Sequence, residues 1–146
     1  MLKRFMVALS MLLVGGFIYL TYRVDTLLMF GWFERLGMAD IIQALRYWGE
    51  QYPLTPPKWV VYSLPNALWL CSGLLILGSI WGDRPSTEMR LWLSGFLAIA
   101  IGGEIGQATG AIPGSFDWHD ILLMGLASVC AVLILRVPLN PDTRRD

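Results

Sequence analysis

The sequence contains little charge for its length. Only 15% of its 146 residues are charged and 55% are hydrophobic, whereas a soluble domain has about 25% charged residues. This shortage of charge indicates a membrane protein.

The sequence has no excess of basic residues and contains only two cysteines. The 11 basic and 11 acidic residues balance, which argues against the basic surface that binds nucleic-acid phosphates. Cys71 and Cys130 both lie in apolar runs, so we interpret them as buried thiols and not as a disulfide framework. The chain has no cysteine or histidine spacing of a zinc site. We therefore predict no nucleic-acid partner, no metal and no cofactor.

Four apolar stretches predict an all-α integral membrane protein with four transmembrane helices in a single domain, residues 1–146. A span takes roughly 20 residues, which gives spans at about 5–22, 60–81, 91–111 and 117–135. The first resembles a signal peptide. Because no small-x-small cleavage site follows it, we predict an uncleaved signal anchor.

A helix long enough to cross the membrane must here include polar residues. The uninterrupted apolar run from Leu91 ends after roughly 13 residues, too short to cross ~30 Å of hydrocarbon. The third helix must therefore continue through Glu104 and Gln107. Read backwards from Arg136, the fourth helix must begin near Asp117.

Basic residues predict the orientation. One side carries residues close to span ends: Lys3, Arg4, Arg84, Arg90, Arg136, Arg144 and Arg145. The other side carries basic residues mixed with acidic ones in an outer loop, 23–59. The positive-inside rule places both termini in the cytoplasm and segment 104–120 outside.

The outer loop contains the pattern of an amphipathic helix. Asp40, with Gln43 three residues later, is a variant of the capping box. Ile41, Leu45 and Trp48 then recur on one helical face. We predict an extracytoplasmic amphipathic helix on the membrane surface between spans one and two.

Polar residues concentrate between the last two spans. Glu104 and Gln107 share one face of helix three, the pair 113–114 is Pro-Gly and reverses the chain, and Asp117 and Asp120 open helix four. We predict that these residues converge on one outward-facing pocket together with His119.

Each member also has a structural explanation. Asp117 and Asp120 fit the N-cap and N3 positions of a helix. Gln107 fits an interhelical hydrogen bond, and His119 fits either an interfacial histidine or a metal ligand. Glu104 favours a functional role more strongly, because an ionisable group at membrane depth is costly and usually faces a bundle interior or a wet cavity.

Segment 104–120, Glu-x-x-Gln followed by Pro-Gly-Ser-Phe-Asp-x-x-Asp, resembles the VanZ-like membrane proteins, named for a teicoplanin-resistance accessory protein. It is most similar to a branch with a Pro-Gly-Thr/Ser-Phe-Asp turn, and 62–69 resembles that branch's entry to span two. The resemblance covers roughly 58–135. It implies a bacterial cytoplasmic-membrane protein with its polar motif near the outer face. Met124 and Asn66 depart from the pattern, as does the lack of an arginine inside the motif.

The leading hypothesis is a cell-envelope accessory function. A pocket of Glu104, Gln107, Asp117, His119 and Asp120 would bind an amphiphile, so the expected partners are membrane lipids, a lipid-linked envelope molecule or a membrane protein. One alternative is an enzyme acting on a lipid-linked substrate, with Glu104 as general base and Asp120 or His119 as its acid or metal partner. Others are a small transporter, since intramembrane carboxylates serve proton relays, and a purely structural subunit.

Overall fold

A computed structural model describes residues 2–24, 28–51, 56–82 and 86–136, and within these ranges the chain is helical with no strand. Its helices follow in the order α1 (Leu2–Tyr22), α2 (Leu28–Arg35), α3 (Ala39–Gln51), α4 (Lys58–Tyr62), α5 (Leu64–Ser79), α6 (Thr87–Ala108) and α7 (Trp118–Arg136). The predicted all-α class is confirmed.

Three of these helices, α1, α6 and α7, are long and apolar enough to cross a membrane. Helix α5 is apolar but has only 16 residues, about 24 Å of helix. The predicted span 60–81 corresponds to α4 and α5, which meet at Ser63 with Pro65 in the first turn of α5. Helix α6 begins earlier than predicted, because Ser86 caps it by accepting a hydrogen bond from the Met89 amide (3.1 Å).

Helix α5 is the centre of the bundle and contacts α1, α6 and α7. Its residues Leu70, Cys71, Leu74 and Leu75 form the buried core with Ala8, Met124 and Ala131. Gly73 lies against the Phe96 ring of α6, and Gly78 lies against the Leu135 side chain of α7. Small residues at these contacts let the helices approach closely, as is common in membrane bundles.

Arg4 joins one end of the bundle. It is buried (3% exposed), and its guanidinium donates to the carbonyl oxygens of Gly82 (3.0 Å) and Leu135 (2.9 Å). The Gly82 carbonyl follows the end of α5, and the Leu135 carbonyl lies at the end of α7. A cation at these helix ends complements the helix dipole. The start of α1 therefore lies beside the ends of α5 and α7.

The predicted amphipathic helix is present as α3. Its buried residues are Ile42 and Gly49, and Gly49 packs on the Thr21 side chain of α1. The predicted Asp40 cap was wrong: α3 begins at Ala39, and the carbonyl of Met38, two residues before Asp40, accepts the first helical hydrogen bond from the Ile42 amide (3.1 Å). Asp40 instead lies in the first turn, where its charge still meets the helix dipole.

Candidate functional site

Glu104 and Asp120 are the buried carboxylates at the end of the bundle opposite Arg4. Glu104 lies one turn before the end of α6 and Asp120 lies in the first turn of α7. They are only 5% and 6% exposed, respectively, and they repel each other electrostatically. Glu104 is thus buried near the start of α7.

The turn between α6 and α7 holds these two residues together. Gly110 ends α6 with a left-handed φ of +74°, a conformation that glycine adopts without steric cost. The Gly106 carbonyl then accepts hydrogen bonds from the amides of Ala111 (2.8 Å) and Ile112 (3.1 Å). The Ile112 side chain fills the space where a side chain at residue 106 would lie. This folds the turn back over the end of α6.

Gln107 packs against the turn. A Cβ atom at Gly114 would lie 2.7 Å from the Gln107 Cδ, and Gly114 has φ +147°. A side chain at position 114 would therefore be both strained and obstructed. In this arrangement the Gln107 amide covers the backbone of the Pro113-Gly114 reversal, so its clearest contact is structural.

Asp117 caps α7 as predicted. Its Oδ1 accepts a hydrogen bond from the His119 amide (2.9 Å) and contacts His119 Nδ1 at 2.8 Å. These two side chains are 48% and 61% exposed, for Asp117 and His119 respectively. The backbone hydrogen bond from His119, followed by the side-chain one, lowers the pKa of Asp117. Both residues thus lie on the exposed side of the buried pair.

Ser63 and Arg23 also belong to the site. Ser63 joins α4 to α5, is fully buried and interacts with the Asp120 carboxyl, and Arg23 attracts that carboxyl electrostatically. The Arg23 guanidinium lies over the rings of Tyr19 (5.4 Å) and Tyr62 (4.7 Å). The site therefore contains an arginine, although none occurs in the sequence motif itself.

Arg46 fixes the position of Arg23. From α3 it donates to the Arg23 carbonyl oxygen at 2.8 Å, and its guanidinium lies 5.5 Å from the Phe30 ring. The outer-loop helix thus supports the end of α1 that carries Arg23. Sequence reasoning used Arg23 only to count charge, and the only local signal for Ser63 was its place in segment 62–69.

Four buried polar atoms near this site lack a hydrogen-bond partner within the described residues. They are Glu104 Oε2, Asp120 Oδ1, Ser63 Oγ and Arg23 Nε. Ser63 Oγ and the Asp120 carboxyl are neighbours but do not reach full hydrogen-bond geometry. Unpartnered polar atoms are costly in a bundle interior, so this cluster is the part of the described chain best suited to receive a polar group.

The polar groups of the site are two carboxylates, which accept hydrogen bonds, a guanidinium, which donates them, and a hydroxyl, which does both. Among the described residues, no group of three or more histidine, cysteine, aspartate or glutamate side chains is arranged to hold a metal ion. Burying two repelling carboxylates beside one arginine is costly unless a cation or a shared proton compensates the charge. The arrangement can therefore bind a cationic or hydrogen-bond-donating group.

Comparison with known protein families, with curated proteins and with solved structures finds no match for this chain.

Proposed function

We propose that this chain is a VanZ-like protein of the bacterial cytoplasmic membrane that binds an amphiphile in an acidic pocket on the extracytoplasmic side, as an accessory of the cell envelope. The observation that carries the proposal is the burial of Glu104 beside Asp120, with an unpartnered oxygen on each. Membrane lipids and lipid-linked envelope molecules are the partners that such a site can reach.

The proposed fourth span is α4 together with α5. The two helices run from Lys58 to Ser79, about 33 Å of helix, which matches the hydrocarbon thickness. The hydrogen bonds from Arg4 to the carbonyls of Gly82 and Leu135 support an antiparallel order in which α1, α4–α5, α6 and α7 alternate in direction.

The charge distribution supports the orientation. Lys3, Arg4, Arg90 and Arg136 lie at the end of the bundle where α1 and α6 start and α7 ends. The buried carboxylates lie at the opposite end, together with α3. Under the positive-inside rule, the end with the basic residues is cytoplasmic, and both the pocket and α3 are extracytoplasmic.

The energetics of burial support a binding role over a structural one. A carboxylate retained inside a membrane bundle for packing alone needs partners, because its desolvation costs several kcal/mol. Glu104 Oε2 has none within the described chain, and the nearby charge of Asp120 is repulsive. A bound polar headgroup would remove this cost.

Native mass spectrometry of the purified protein tests the proposal. We expect the wild-type protein to retain an amphiphile of defined mass and Glu104→Gln to lose most of it, by roughly tenfold, since a lost charged hydrogen bond costs about 1.5–3 kcal/mol. Glu88→Gln is the matched control, because Glu88 is exposed at the other end of α6. Equal retention by all three proteins would refute the pocket.

A further inference from the structure

Three of the unpartnered atoms are hydrogen-bond acceptors that share one neighbourhood. Glu104 Oε2 and Asp120 Oδ1 belong to side chains at least nine-tenths buried, and Ser63 is fully buried. Asp120 is the common neighbour, since it interacts with both Glu104 and Ser63. A ligand that satisfies this set therefore supplies more than one hydrogen-bond donor.

The charges narrow the choice further. Glu104 and Asp120 contribute two negative charges, and Arg23, which attracts Asp120, contributes one positive charge. Asp117, on the exposed side of the pair, adds a third acidic group, so the carboxyl groups outnumber the arginine. A cationic group with up to three N–H donors suits both the charge and the acceptors, and a primary ammonium is such a group.

We propose that the pocket binds the primary ammonium of an ethanolamine-type headgroup, with Glu104 Oε2, Asp120 Oδ1 and Ser63 Oγ as its acceptors. This rests on the proposed binding function and names its ligand class. Arg23 Nε, a buried donor without a partner in the described chain, binds the phosphate beside the ammonium. A phosphoethanolamine group then pairs every unpartnered atom of the site.

The position in the bundle suits this ligand. The buried pair lies behind Asp117 and His119, which are about half exposed, so the headgroup has about one helical turn to travel from the surface. A soluble phosphoethanolamine compound offers the same chemistry from the aqueous side.

The test reconstitutes the full chain in phosphatidylcholine nanodiscs with and without phosphatidylethanolamine and measures thermal unfolding by tryptophan fluorescence. Choline has the same phosphate and charge but no N–H donor, so the comparison isolates the ammonium hydrogens. Ligand binding to the folded state raises Tm, and we expect an increase of roughly 3–6 °C. N,N-dimethylated phosphatidylethanolamine, with one N–H, gives an intermediate increase. Equal Tm in the choline and ethanolamine lipids overturns the assignment.

Variants of the site residues test whether the increase in Tm comes from this site. Glu104→Gln and Asp120→Asn lose the increase, whereas Glu88→Gln keeps it. If either charge variant fails to fold, Ser63→Ala provides the decisive comparison and shows a smaller increase than the wild type. An undiminished increase in a folded Glu104→Gln or in Ser63→Ala overturns the proposal.

Adding phosphoethanolamine to phosphatidylcholine nanodiscs distinguishes the two ligand sources. An increase in Tm there assigns the site to the soluble compound as well as the lipid; an increase with the lipid alone assigns it to the lipid. A result that rules out the ammonium ligand differs from one that rules out the binding function. An amphiphile retained by the wild type and lost in Glu104→Gln, with no preference for ethanolamine over choline, removes the ammonium ligand and leaves the pocket.

Discussion

Asp117 controls how α7 begins, through hydrogen bonds to the backbone amide and the ring of His119. These bonds hold its pKa below the ordinary value of 3.8. A carboxyl whose pKa is lower in the folded state stabilises the fold fully above its ordinary pKa, and this contribution is lost as the pH falls through the lowered value.

We therefore expect the Tm of the wild-type protein to fall more steeply below about pH 4 than that of Asp117→Asn, because asparagine still caps a helix but does not titrate. Thermal unfolding in detergent across a pH series measures the difference. Glu104 and Asp120 are present in both proteins, so the comparison removes their titration apart from its coupling to the Asp117 charge. Identical acid dependence in the two proteins would show that the Asp117 cap contributes no charge-dependent stability.

Single residues also show where sequence reasoning succeeds. The continuation of the third helix through Glu104 follows from helix length alone, since a shorter helix does not cross the membrane, and α6 extends to Ala108. Arg23 and Ser63 escaped prediction because their contacts with Asp120 join segments far apart in the chain, and no local periodicity encodes such contacts. Asp40 failed as a cap because the Met38 carbonyl, two residues earlier, accepts the first helical bond.

At the scale of helices, Arg4 holds three elements together. The sequence presents it as one of the basic residues that flank the first span, yet it is buried and donates to carbonyls after α5 and at the end of α7. Hydrogen bonds that involve a charged group contribute about 1.5–3 kcal/mol each. Arg4 is therefore central to the packing of α1 on its neighbours.

We expect Arg4→Ala to lower the free energy of unfolding by about 3 kcal/mol or more, measured by SDS-induced unfolding in micelles. We expect the free energy of unfolding of Arg4→Lys to lie between those of the wild type and Arg4→Ala, because an ammonium lacks the guanidinium fork that reaches two carbonyls. The control is Lys3→Ala, an exposed neighbour whose removal changes stability by no more than about 0.5 kcal/mol. A similar small effect for both alanine variants would contradict the proposed role of Arg4.

At the scale of the whole molecule, the distribution of apolar residues was sufficient to predict an all-helical chain and the positions of α1, α6 and α7, the helices that are long and apolar enough to cross a membrane. It did not predict that the apolar run 60–81 divides into two helices at Ser63, or that α5 lies at the centre of the bundle. The apolar run 60–81 is uniform, and its buried face is selected by packing against three other helices. Because the helix directions alternate, the end of α6 that carries Glu104 is expected at the end of the bundle opposite Arg4.

The proposed even number of crossings places both termini on one side of the membrane. We expect green fluorescent protein fused to the C-terminus to fluoresce and alkaline phosphatase fused there to be inactive, because the proposed orientation puts the basic end of the bundle in the cytoplasm. An active phosphatase fusion would reverse the orientation and move the acidic pocket to the cytoplasmic side.

A double-mutant cycle shows whether Glu104 and Asp120 form one buried site. Unfolding free energies are measured for the wild type, Glu104→Gln, Asp120→Asn and the double variant. Because the two carboxyls are buried and repel each other, we predict a coupling energy of about 0.5–3 kcal/mol. The same cycle with Glu88→Gln and Asp120→Asn, at opposite ends of the bundle, should be additive. Additive effects of Glu104→Gln and Asp120→Asn would contradict the account.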